Sequence, residues 1–194
     1  MSDARAWANA ALFGALWGAA EVTLGLLLKA AGIPFYGLLL AAVGVMCMTT
    51  ARRLRPLPGT TLVMGLVVAF LKVFSAGGLV LGSVVGILLE ASFMEIAFTV
   101  TGSSAAGAVL GGGLTLACAP AQQFAWILLI AGPQAAEGLQ RTVRRAGGLV
   151  GLDSLSIWGL LALPVLAAGM LGLAVGAFSW RTAGRVRRRL RGGP

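Results

Sequence analysis

The sequence predicts an all-α integral membrane protein, a six-transmembrane-helix bundle, and three observations carry that reading. Of its 194 residues, 58% are hydrophobic and only 11% charged, with a mean hydropathy of +0.93, outside the range of ordinary soluble domains. The apolar residues gather into runs near the length of about 20 that a helix needs to cross a hydrocarbon core of about 30 Å. The net charge of +9 sits in short clusters between those runs, which is a membrane-topology pattern and not a phosphate-binding face. No nucleic-acid partner is therefore expected.

The first span is expected at residues 8–29. It is too long for a signal-peptide core, contains Glu21 and lacks a convincing cleavage site. Its small residues fall on two stripes, Ala11, Ala15 and Ala19 on one and Gly14 and Gly18 on the next, so two faces allow close approach of neighbouring helices. Gly32 and Pro34 break the chain before a second span near 35–50. Arg52, Arg53 and Arg55, followed by Pro56, Pro58 and Gly59, form a basic loop that reads as cytoplasmic.

A third span, 61–75, carries Lys72 near its outer end, and the AGG turn at 76–78 leads to a fourth at 79–100 holding Glu90 and Glu95. Ser103 or Ser104 is expected to cap a fifth span at 105–131. In that span Gly111, Gly112, Gly113 and Pro120 predict a kink or a broken helix. Gly132 and Pro133 are expected to close it, leaving residues 133–156 as a polar connection with a short interfacial helix over 134–146. The sixth span, 157–180, has Ala168, Gly172 and Gly176 on a small-residue stripe and Pro164 inside. The whole of 1–180 reads as one transmembrane domain, and 181–194 as a basic cytoplasmic tail with six arginines. Both termini are then cytoplasmic in a multi-pass protein of the cell inner (plasma) membrane. Arg141, Arg144 and Arg145 go against this topology, since they fall outside. If they prevail, the fifth run is a re-entrant hairpin broken at Pro120.

The absence of histidine excludes imidazole chemistry and His-ligated metals. Cys47 and Cys118 lie within apolar runs without a CxxC spacing and read as small buried side chains. No phosphate loop, dinucleotide fingerprint, HExxH or GxSxG occurs, so neither ATP hydrolysis nor a recognisable nucleophile is expected, and no cofactor or metal.

A charge at the bilayer centre costs about 2.5–3.5 kcal/mol on insertion scales, which makes each intramembrane charge a candidate functional group. Glu21 and Lys72 fall in the outer half, Glu90 near the midplane and Glu95 closer to the cytoplasm, while Gln122 and Gln123 share the depth of Glu21. A hydrophilic pocket opening outward is expected from Glu21, Lys72, Glu90, Gln122 and Gln123, walled by Trp17, Phe74 and Trp126 and suited to a small polar or heterocyclic ligand. The plainer alternative is a Glu21–Lys72 ion pair fastening the first helix to the third. Glu95 is within reach of Arg52 or Arg53 and reads as structural. The terminal arginines are expected to meet anionic lipid.

A basic chain of this length with six spans, cytoplasmic ends and a first helix bearing Ala11, Leu12, Phe13, Gly14 and Ala15 as AxxxA resembles the substrate-binding S components of energy-coupling factor transporters. The resemblance covers the layout of the whole chain. It implies that Ala11, Ala15 and Ala19 face a transmembrane coupling subunit, that cytoplasmic ATPases are further partners, and that a vitamin-like micronutrient is the substrate. It also implies that the chain is not itself an enzyme. Two other readings stand beside it: a structural or assembly subunit of a larger membrane complex, and a lipid-modifying enzyme using Glu90 as acid or base.

Overall fold

The computed structural model describes residues 2–33, 36–75, 81–149 and 157–191. Pro34, Phe35, the expected turn at 76–78, the start of the fourth span at 79–80 and the end of the polar connection lie outside the described residues. Six helices follow one another: α1 (Ser2–Ala30), α2 (Tyr36–Leu54), α3 (Thr60–Ser75), α4 (Leu81–Thr101), α5 (Ala105–Leu149) and α6 (Ile157–Arg191). Among the described residues there is no strand. By length and composition α1, α2, α4 and α6 can each cross a membrane, which makes this a membrane protein.

Local chemistry sets several helix ends. After α1, Ile33 N donates to Leu28 O at 3.1 Å and Gly32 N to Lys29 O at 3.1 Å, with Gly32 at φ 64°, the left-handed closure that glycine adopts without a Cβ penalty. Ser104 caps α5 by accepting from Gly107 N at 3.2 Å.

The longest departure from expectation is α5. It runs for 45 residues through Pro120, Gly132 and Pro133, about 68 Å at helical rise, so the break at Pro120, the stop at Gly132 and the separate helix over 134–146 are all replaced by one continuous element. Likewise α6 continues past Trp180, and the expected tail is helical to Arg191. The side chains of Arg141, Arg144 and Arg145 are outside the description. α3, with 16 residues, spans about 24 Å and is the short member.

α2 occupies the centre: it touches each of the other five helices, which close around it in the order α1, α3, α4, α5, α6. Its buried residues include Leu40, Ala41, Gly44, Val45 and Met48. The tightest crossing is α5 on α6. A Cβ added to Gly112 would lie 2.5 Å from Gly172 O, and one added to Gly176 would collide with Ala108 O. The triple glycine of α5 therefore serves close helix packing, with the stripe on α6 as its counterpart.

At the arginine-rich end, where the C-terminus of α2 meets the N-terminus of α3, Glu95 joins four segments. It pairs with Arg52 Nη1 at 3.1 Å and accepts from Gly59 N at 2.7 Å, Thr61 N at 3.1 Å and Thr61 Oγ1 at 2.7 Å. The carboxylate from α4 thus caps α3, placing negative charge on the exposed amides of a helix start. Arg52 in turn donates to Leu57 O and, at 3.1 Å, to Ser103 Oγ, and lies 5.7 Å above the Phe98 ring. Of the two arginines expected within reach of Glu95, it is Arg52 that pairs with it.

Candidate functional site

The remaining membrane-depth polar groups lie in the half of the bundle remote from that clasp. α1 turns its glycine stripe inward: a Cβ on Gly14 would sit 3.3 Å from Met64 Cα, and one on Gly18 2.5 Å from the Leu71 side chain. That close approach to α3 brings Glu21 beside Lys72. Lys72 Nζ meets Glu21 Oε1 at 3.2 Å and Glu21 O at 3.2 Å, so the expected ion pair between the first and third helices is present.

One turn before Glu21, Trp17 is fully buried against α2. A Cβ on Gly44 would come within 2.8 Å of its indole, so the absence of a side chain there makes the slot. Trp17 Nε1 has no acceptor among the described residues.

On the opposite side, Gly82, Gly86 and Glu90 follow at four-residue steps along α4. Gln122 of α5 donates to Gly82 O at 2.6 Å and packs against Gly86, while the Trp126 indole covers Gly82, its Nε1 3.1 Å from where a Cβ would be. Thr115 Oγ1 donates to the backbone carbonyl of Glu90 at 3.3 Å. The Glu90 side chain itself is half-buried and makes no hydrogen bond or ion pair among the described residues. It lies within electrostatic reach of Glu21 and of Cys118. Among the described residues α1 touches neither α4 nor α5 directly.

Not every expected residue joins the cluster. Gln123 is exposed on another face of α5, as the 100° turn between successive helical residues requires. Phe74 is 74% exposed and stacks on Phe70 at 4.7 Å on the bundle exterior, so it forms no wall of the cluster. Thr115 and Gly44 are contributors that sequence reasoning missed. The signal for Gly44 was available in principle, since a glycine in a buried helix opposite a tryptophan marks a slot. Ala11, Ala15 and Ala19 are exposed on the outer face of α1, beside Leu12 and Leu16.

The fold and this cluster define an all-α membrane protein with an acid-rich polar group between helices. Compared with family models, curated proteins and solved structures, the chain finds no match in any of the three.

Proposed function

We propose that this chain is the non-enzymatic substrate-binding subunit of a micronutrient uptake transporter in the plasma membrane, with six spans and both termini cytoplasmic. The observation that carries the reading is the unmatched acid at membrane depth. Glu21 and Glu90 supply two carboxylates to a region where Lys72 is the single ammonium among the described side chains. Burial of an unpaired charge is costly, and a bound solute bearing positive charge or several N–H donors would offset that cost. Trp17, Gln122 and Trp126 would supply a flat surface and hydrogen bonds for a small, vitamin-like molecule. The exposed alanine face of α1 is where a coupling subunit would pack, with cytoplasmic ATPases providing the energy that this chain has no motif to supply.

A structural subunit of a larger membrane complex is the second reading. It is favoured by the Glu21–Lys72 pair and the Gln122–Gly82 bond, in which polar groups satisfy one another without a ligand. The two are separated by purifying the full chain in detergent and extracting small molecules under native mass spectrometry. A compound that travels with wild type and is lost from Glu90→Gln supports solute binding. Empty protein in both forms, with equal stability, refutes it and leaves the structural role.

A further inference from the structure

At the arginine-rich end, α1, α2 and α6 enclose a groove of about 450 Å³, within the range of small-ligand sites. Its polar lining is Arg5 and Asn9 from α1, Arg55 just beyond α2 and Arg187 from α6, with no carboxylate among the described side chains that line it. Its apolar lining includes Leu12, Leu54 and Leu190. Leu12 is 59% exposed on the membrane-spanning part of α1 and Leu190 71% exposed, so the cationic part of the groove opens onto an apolar surface.

The groove is held open by specific contacts. Asn9 Nδ2 donates to Ala51 O at 3.1 Å and ties α1 to α2. Arg53 donates to Trp180 O and lies 4.1 Å over the Trp180 ring, tying α2 to α6. Gly184 leaves room for that guanidinium, since a Cβ there would be 2.6 Å from Arg53 Nη2. This seating sets Arg187 and Arg188 within electrostatic reach of Arg53. Within the groove itself Arg5, Arg55 and Arg187 gather three positive charges, which an anion would relieve. Among the described residues the ion pairs are Arg52–Glu95 and Lys72–Glu21, and neither supplies a carboxylate to Arg5, Arg55 or Arg187.

We propose that this groove binds the phosphate headgroup of an anionic phospholipid, with the guanidinium groups of Arg5, Arg55 and Arg187 on the phosphate and an acyl chain running along Leu12 and the adjacent leucines. Guanidinium forks match phosphate oxygens in pairs, and the apolar continuation favours a lipid over a free anion. The site is separate from the solute-binding cluster, because it lies at the other end of the bundle and shares no residue with it.

The test is native mass spectrometry of the full chain released from detergent containing phosphatidylglycerol or, separately, phosphatidylcholine, with lipid affinity measured by titration. Wild type is expected to retain phosphatidylglycerol in preference to phosphatidylcholine. Arg5→Gln with Arg187→Gln is expected to bind it about thirtyfold more weakly, at about fivefold per arginine. Arg185→Gln with Arg189→Gln removes the same charge from residues outside the groove and is expected to keep wild-type affinity. Arg5→Lys with Arg187→Lys, which retains charge, checks that the helices still pack. Equal losses in the two glutamine pairs would mean diffuse attraction to charge and overturn the site. So would equal binding of the two lipids, or equal competition by inorganic phosphate, which would identify a soluble anion as the occupant.

Discussion

Replacing Glu95 with alanine is expected to be among the most damaging single changes to the bundle. Arg52 and Glu95 expose only 3% and 9% of their side chains, so little solvent is available to screen the guanidinium left behind. Breaking a buried pair by removing one partner costs about 3–5 kcal/mol. The same change leaves Gly59 N and Thr61 N without their acceptor, while Thr61 Oγ1 keeps the Ala91 carbonyl, and each buried orphan costs about 1–3 kcal/mol when water cannot replace the bond. These terms overlap, so a total loss of about 4–6 kcal/mol is expected. The double change Glu95→Leu with Arg52→Met removes the charges together and restores most of the pair term, but the start of α3 stays uncapped. The order of stability is therefore wild type, then the double variant, then Glu95→Ala. Denaturant titration of the detergent-solubilised protein, followed by far-ultraviolet circular dichroism, measures it. A Glu95→Ala protein within 1 kcal/mol of wild type, or a double variant less stable than the single, would refute the clasp.

Two other changes probe other parts of the bundle. Gly176→Val places a branched side chain against the Ala108 carbonyl, a backbone neighbour that no rotamer change can move. A loss at or above the usual overpacking cost of about 1–3 kcal/mol is expected, and an unchanged thermal midpoint would contradict the α5–α6 crossing. Lys72→Met leaves Glu21 without its ammonium and is expected to cost about 3–5 kcal/mol. Adding Glu21→Gln should recover much of that loss, and no recovery in the same melting assay would show that the pair does not act as a unit.

Much of this bundle was legible locally. A carboxylate and an ammonium at similar depth on nearby apolar runs made the Glu21–Lys72 pair the plainer alternative to a ligand pocket, because a lone charge in that setting is costly. Glu95 was within reach of Arg52 or Arg53, and the structure pairs it with Arg52. The helix ends were less legible. Gly132 and Pro133 are strong stop signals by local propensity, yet α5 passes through them to Leu149, so local propensity alone did not decide where this helix ends.

The sequence by itself determined that the chain is helical and apolar enough for a membrane, that most of its cations gather in short clusters, and which few polar groups carry the interest of its interior. Only the tertiary structure decided which face of each helix turns inward. On α1 the alanine and glycine stripes look equally suited to packing, but Gly14 and Gly18 face α3 while Ala11, Ala15 and Ala19 stay exposed. The reason is steric: the α3 backbone lies 3.3 Å from where a Cβ on Gly14 would sit, and that approach is what sets Lys72 against Glu21.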